Sequence, residues 1–141
     1  MPVPAAAALR LAAIAGLLAG GCHRDERRIE DLLQSTADAL GRGDRAAACR
    51  NVWWGEANPA RCEEVLDALE ARAGAFAGGR VTVVEVAPYG HGAGAHVVAG
   101  VARGGRTGRF RAHLLCSTDR REHRAGPGCG WWLEGTGPAD R

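Results

Sequence analysis

The sequence predicts an α+β domain, and three observations predict it. Up to Gly78-Gly79, apolar residues recur every three or four positions, the period of helices buried along one face. From Arg80 onwards the runs are short, Val-rich or alternating, the period of strands. Gly-rich stretches separate those runs, so consecutive strands join as hairpins. Three helices followed by four antiparallel strands put the helices on one face of the sheet.

The N-terminus precedes that domain. Arg10 is the only charge in residues 1–10, and residues 11–19 are apolar except for Gly16. Such a run is too short to cross a bilayer as a helix and reads as an export signal over residues 1–21. Its end, Leu17-Leu18-Ala19-Gly20-Gly21-Cys22, resembles a bacterial lipobox, with Ala19 where that pattern has Leu. Two processing routes are open: cleavage after Gly21 to release a soluble protein, or lipidation of Cys22 as the first mature residue. Cysteine arithmetic favours lipidation. There are five cysteines, Cys22, Cys49, Cys62, Cys116 and Cys129. Thiols pair in an oxidising compartment, and lipidation of Cys22 leaves an even number. The expected location is therefore the cell envelope, exported and anchored to the membrane by lipid.

Residues 22–28 read as a charged tether and residues 29–135 as one domain. Asp25 is placed to cap a first helix, whose buried face carries Ile29, Leu32, Leu33, Thr36 and Leu40. Gly41 follows in a position suited to a left-handed cap. Asp44 caps a second helix running through Ala46–Cys49 towards Trp53-Trp54. Asn58-Pro59 opens the third, since Asn is a good N-cap and Pro fits the first helical position. Cys62, Val65, Leu66, Leu69, Ala73 and Phe76 line one face of it. Strands follow at 80–87, 95–102, 107–117 and 129–134. Residues 119–128 are a loop and 136–141 a frayed tail.

Helix, Gly43-Asp44, a helix with Ala47-Ala48-Cys49, a helix with Cys62, then strands closing on Gly130-Trp131: this order resembles the nuclear-transport-factor-2-like, or cystatin-like, superfamily. The resemblance is greatest to small actinobacterial lipoproteins of that group. It implies a curved sheet wrapped against helices, often around a cone-shaped pocket. The superfamily holds isomerases, dehydratases and many non-catalytic binding modules, so fold alone does not choose among them.

Composition excludes some classes. The formal net charge of +2 is no electrostatic footprint for nucleic acid. Neither Ser35 nor Ser117 sits in a nucleophile-elbow motif. No Cys-x-x-Cys spacing supports a zinc site, and the scattered His91, His96, His113 and His123 read as solvated or hydrogen-bonded imidazoles. No cofactor, metal or catalytic residue is assigned. An isomerase- or dehydratase-type site would draw on Tyr89 and His113, with Glu85 the one acid in an apolar strand. The leading expectation is a non-catalytic binding module for a small apolar ligand or an envelope protein. A superfamily enzyme and a purely structural lipoprotein are the alternatives.

Four mature cysteines allow three pairings, and the local ones, Cys49–Cys62 and Cys116–Cys129, are favoured. Setting Cys116 opposite Cys129 places Leu114 opposite Trp131 and Ala112 opposite Leu133, facing the helices. The same register puts His113 opposite Trp132 and Arg111 opposite Glu134 on the other face. Arg109, Arg111, His113 and Trp132 are then an exposed patch that a partner could use. Trp53, Trp54 and Tyr89 are further candidates for ligand or partner binding, Trp being enriched at binding hot spots.

Overall fold

The computed structural model describes residues 20–90, 93–117 and 130–137. Three helices, α1 (Gly20–Gly41), α2 (Arg45–Cys49) and α3 (Pro59–Arg72), precede four strands, β1 (Arg80–Tyr89), β2 (Gly94–Arg103), β3 (Arg106–Ser117) and β4 (Gly130–Gly137). The strands form one antiparallel sheet in the order β1-β2-β3-β4. Helix α1 packs on β1 and β4, and α3 on β3 and β4. The expected α+β architecture is the one observed.

The stripe Ile29, Leu32, Leu33, Thr36 and Leu40 is buried, as its spacing requires. Asp25 does not cap α1. It lies exposed within a helix already formed at Gly20, because the Arg- and Glu-rich stretch after it has good helix propensity of its own. The left-handed residue at the other end is Gly43 rather than Gly41. The amide of Gly43 donates to the Leu40 carbonyl at 3.0 Å and that of Asp44 to the Ala39 carbonyl at 2.9 Å, so both orphan carbonyls are satisfied. Gly41 serves instead for close approach. A Cβ there would stand 2.6 Å from Cα of Gly78, where the chain leads into β1.

Asp44 then caps α2 by accepting from the Ala47 amide, and Asn58 caps α3 by accepting from the Arg61 amide. Helix α2 is short and ends at Cys49, so Trp53 and Trp54 lie in the turns after it, not on its last turn. Helix α3 ends at Arg72; Phe76 reaches the core from the turn beyond, edge to face with Phe110 at 5.3 Å. The Cys49–Cys62 disulfide joins α2 to α3 with a Cα–Cα distance of 5.6 Å. Arg45 reinforces the joint by bonding Glu63, Asp67 and Glu70 along α3.

Each edge of the sheet is capped in part by another segment. An edge strand offers unpaired amides to other chains unless something blocks it. On β1, α1 does this with side chains: Gln34 Oε1 accepts from the Val81 amide at 2.8 Å and Glu30 Oε2 from the Val83 amide at 2.9 Å. Pro88, which has no amide hydrogen, is tolerated on this edge strand. On β4, residues 51–53 run alongside in parallel. The Leu133 amide donates to the Asn51 carbonyl and the Trp53 amide to the Leu133 carbonyl, both at 2.8 Å. Buried Asn51 ties this segment to α1 by donating to Thr36 Oγ1 at 2.9 Å.

The β3–β4 register differs from the expected one by two residues. Leu114 lies opposite Leu133, Leu115 opposite Trp132 and Cys116 opposite Trp131. A bulge at Glu134 then sets His113 opposite Gly135 and Arg111 opposite Gly137. The physical reason is the period of the strand. A two-residue slip leaves every side chain on its own face, so hydrophobic patterning cannot distinguish the two registers. The pairing of Leu133 with residues 51–53 adds a constraint that is distant in sequence.

Candidate functional site

Alternation gives the sheet two unlike faces. Val81, Val83, Val97, Ala99, Val101, Phe110, Ala112, Leu114 and Leu133 turn towards the helices and are buried. The residues between them turn away, and none of the three helices lies on that side. Of the expected functional residues, Tyr89, Arg109, Arg111, His113 and Trp132 lie on this far face. Each has its place there for a local reason.

The turn Gly104-Gly105 has positive φ at both residues, the two-residue hairpin geometry whose twist matches the strands. It sets Arg103 opposite Arg106, and counting back along the strands brings His96 opposite His113. Their rings meet edge to face with centroids 4.4 Å apart. Tyr89, at the end of β1, lies over Gly94, where any Cβ would clash with the phenol ring. That placement brings its ring centroid within 4.6 Å of His96. The Glu134 carboxylate interacts with the Tyr89 hydroxyl. The far face therefore carries a row with one member from each strand: Tyr89, His96, His113 and Glu134.

Burial, and after it the Glu134 carboxylate, pushes the Tyr89 phenol up. Burial and then the neighbouring His96 push the His113 imidazole down, against a smaller opposing pull from Glu134. The row can exchange protons and donate or accept hydrogen bonds. It stands on an open face with His96 exposed, however, and not in the enclosed cleft where general acid–base catalysis works best.

Beside this row stand the tryptophans. Because residues 51–53 run along β4, Trp53 meets Trp132 edge to face at 6.1 Å, and Trp54 meets Trp53 at 5.8 Å. Trp132 keeps the expected face but is not exposed there; only 9 % of it remains accessible. The reason is the covering segment, whose course along β4 no local pattern announced. The exposed aromatic is Trp54, at 49 % accessibility. It holds φ of 58°, a conformation that costs a non-glycine residue roughly 1–2 kcal/mol.

Arg109 is exposed and Arg111 half-buried on the same face of β3, as expected. His96 and Glu134 were not among the expected site residues. The Gly104-Gly105 turn would have placed His96 opposite His113; the bulge that positions Glu134 left no such mark. Of the cysteines, Cys49 and Cys62 pair as expected. Cys116 is disulfide-bonded, while Cys129, the partner expected for it, lies outside the described residues. The Cys22 side chain, His91, His123 and the 119–128 loop lie outside them too. Among the described residues, no group of three or more His, Cys, Asp or Glu is arranged to hold a metal ion, and no helix is long and apolar enough to cross a membrane. The disulfides point to an oxidising, extracytoplasmic compartment.

No protein-family model matches the chain, and neither does any curated protein or solved structure.

Proposed function

We propose that this chain is a non-catalytic binding module of the cell envelope, tethered through a lipidated Cys22, that takes a protein partner on the open face of its sheet. One observation carries the reading: Trp54 is exposed, conformationally strained and backed by Trp53, which in turn meets Trp132 on the open face that also carries the Tyr89–His96–His113 stack. Strain of this kind persists where surrounding structure imposes it, often at functional sites. Aromatic anchors with a rigid backing dominate protein interfaces. A small apolar ligand between sheet and helices, as the cystatin-like resemblance implies, is less well supported. Leu33, Leu66, Leu69, Phe76 and Phe110 fill that space.

Membership of the cystatin-like superfamily forms part of the proposal, supported by the order of three helices and four strands. The tether rests on the lipobox-like ending and the odd cysteine count. Changing Cys22→Ser should move the protein from the membrane to the soluble fraction. Wild-type protein already soluble, with a free Cys22 thiol, would contradict the anchor.

The binding face is tested by placing a photo-cross-linking residue at position 54, and in parallel at Glu64 on α3, in the intact envelope. A discrete adduct from position 54 and none from position 64 is the expected result. Equal capture from both positions, or none from either, would contradict it.

A further inference from the structure

Beyond the histidines, the far face changes character. Two rows cross it: Arg80, Ala102 and Thr107, then Thr82, Gly100 and Arg109. Together they line an open groove of about 550 Å³. Its walls, β1 and β3, stand two strand spacings apart, roughly 10 Å. Its floor, on β2, bears nothing larger than a methyl group. Each wall offers one guanidinium and one hydroxyl in opposite order along the sheet, so the two arginines face each other diagonally. Arg111 follows Arg109 on the same side of β3.

These arginines differ from the others that the fold uses. Arg45 takes three carboxylates, and Arg61 and Arg103 donate to backbone carbonyls. Arg80, Arg109 and Arg111 make no ion pair or side-chain hydrogen bond among the described residues. The nearest acids of this face are Glu85, which shares the next row with Val98 and Arg111, and Glu134 at the aromatic end. Among the described residues, Arg80 and Arg109 thus stand across the groove with no carboxylate in either of its two rows.

We propose that this groove binds a phosphate-bearing ligand, the oxyanion held between Arg80 and Arg109 with the Thr82 and Thr107 hydroxyls donating to it. Planar guanidinium forks match phosphate oxygens two bonds at a time. The bare floor at Gly100 lets the group settle between the walls. The site is separate from the Trp54 surface and stands or falls without it.

Gly100 supplies the decisive variant. A Cβ there would meet nothing nearer than the Gly108 carbonyl oxygen at 3.9 Å. Gly100→Val therefore fits the strand, and a β-branched residue suits it better than glycine does. It fills the groove while sparing the fold. The experiment titrates pyrophosphate into the purified chain at low ionic strength, read by backbone amide shifts. In parallel, the chain is sedimented with phosphatidylglycerol vesicles and with phosphatidylcholine vesicles.

Saturable shifts at Gly100, Ala102, Thr107 and Arg109 are expected. Binding should weaken at least about tenfold in Arg80→Gln/Arg109→Gln, and likewise in Gly100→Val with its melting temperature unchanged or raised. Arg42→Gln/Arg72→Gln removes the same charge from the helical side and should bind as wild type does. Pyrophosphate binding without vesicle binding identifies a soluble phosphate ligand; selective pelleting with phosphatidylglycerol identifies a lipid headgroup. Either sustains the site. No response to pyrophosphate or to either vesicle would overturn it. So would equal loss in the Arg42/Arg72 control, which reduces the effect to bulk charge.

Discussion

The two faces of this sheet come from the same four strands, yet they follow different rules. Towards the helices the centre of the sheet is apolar and closely packed, and Phe110 and Leu114 of β3 are buried there. One residue along, Arg109, Arg111 and His113 face away and reach solvent. Burial constrains the first set by volume and polarity; nothing in the fold demands the second. The helix-facing residues account for the fold, and the far face is free to carry recognition.

The sharpest way to break this contrast is to truncate one residue from each face of β3. Phe110→Ala should cost about 3–5 kcal/mol, through lost burial and the cavity left beside Phe76. Arg111→Ala, one position on, should stay within about 0.5 kcal/mol. Chemical denaturation of the two variants checks the pair. Equal losses would mean that the far face is covered and structural.

Next in size is the joint between α2 and α3. Replacing both Cys49 and Cys62 with Ala should cost roughly 3 kcal/mol, the loop-closure entropy that a bond of this span removes from the unfolded chain. Tryptophan emission should respond along with the melting temperature, because Trp53 and Trp54 lie between the two helices in sequence. An unchanged melting temperature would show that Arg45 and its three carboxylates hold the joint unaided.

A smaller effect separates the faces by pH. The His113 imidazole is held below its ordinary value of 6.5, first by burial and then by His96, with Glu134 opposing. The folded protein therefore binds this proton less readily than the unfolded chain does. The stability that follows is present above the ordinary imidazole value and is lost as pH falls through it towards the lower folded value. Thermal melts from pH 8 to pH 5 should fall less steeply in His113→Gln than in the wild type. Parallel curves would mean that His113 sees water as freely in the folded state as in the unfolded one.

Much of the helix-facing side was legible in the sequence. Ile29 to Leu40 and Cys62 to Leu69 show the period of 3.6, and Asp44 and Asn58-Pro59 mark helix starts by side-chain chemistry that works locally. The far face was legible only where a local signal set it. The Gly104-Gly105 turn fixes how β2 meets β3, and hence His96 against His113. Nothing local reported that residues 51–53 run along β4. That contact buries Trp132, supports Trp54 and accompanies the two-residue change in register. Glu30 and Gln34 lie off the apolar stripe of α1, and their use as caps for the edge of β1 depends on a strand some 50 positions away. Period-two patterning identifies faces; it cannot identify what lies across an edge.

The proposed division between a folding face and a recognition face meets its most direct test in hydroxyl-radical footprinting. The protein is labelled once in the intact envelope and once after purification. On this account Trp54, Tyr89 and His96 are protected in the envelope relative to the purified chain, while Glu64 and Asp67 on the outer side of α3 react equally in both. Equal labelling of Trp54, Tyr89 and His96 in the two states would contradict the claim that the open face of the sheet is the one that binds.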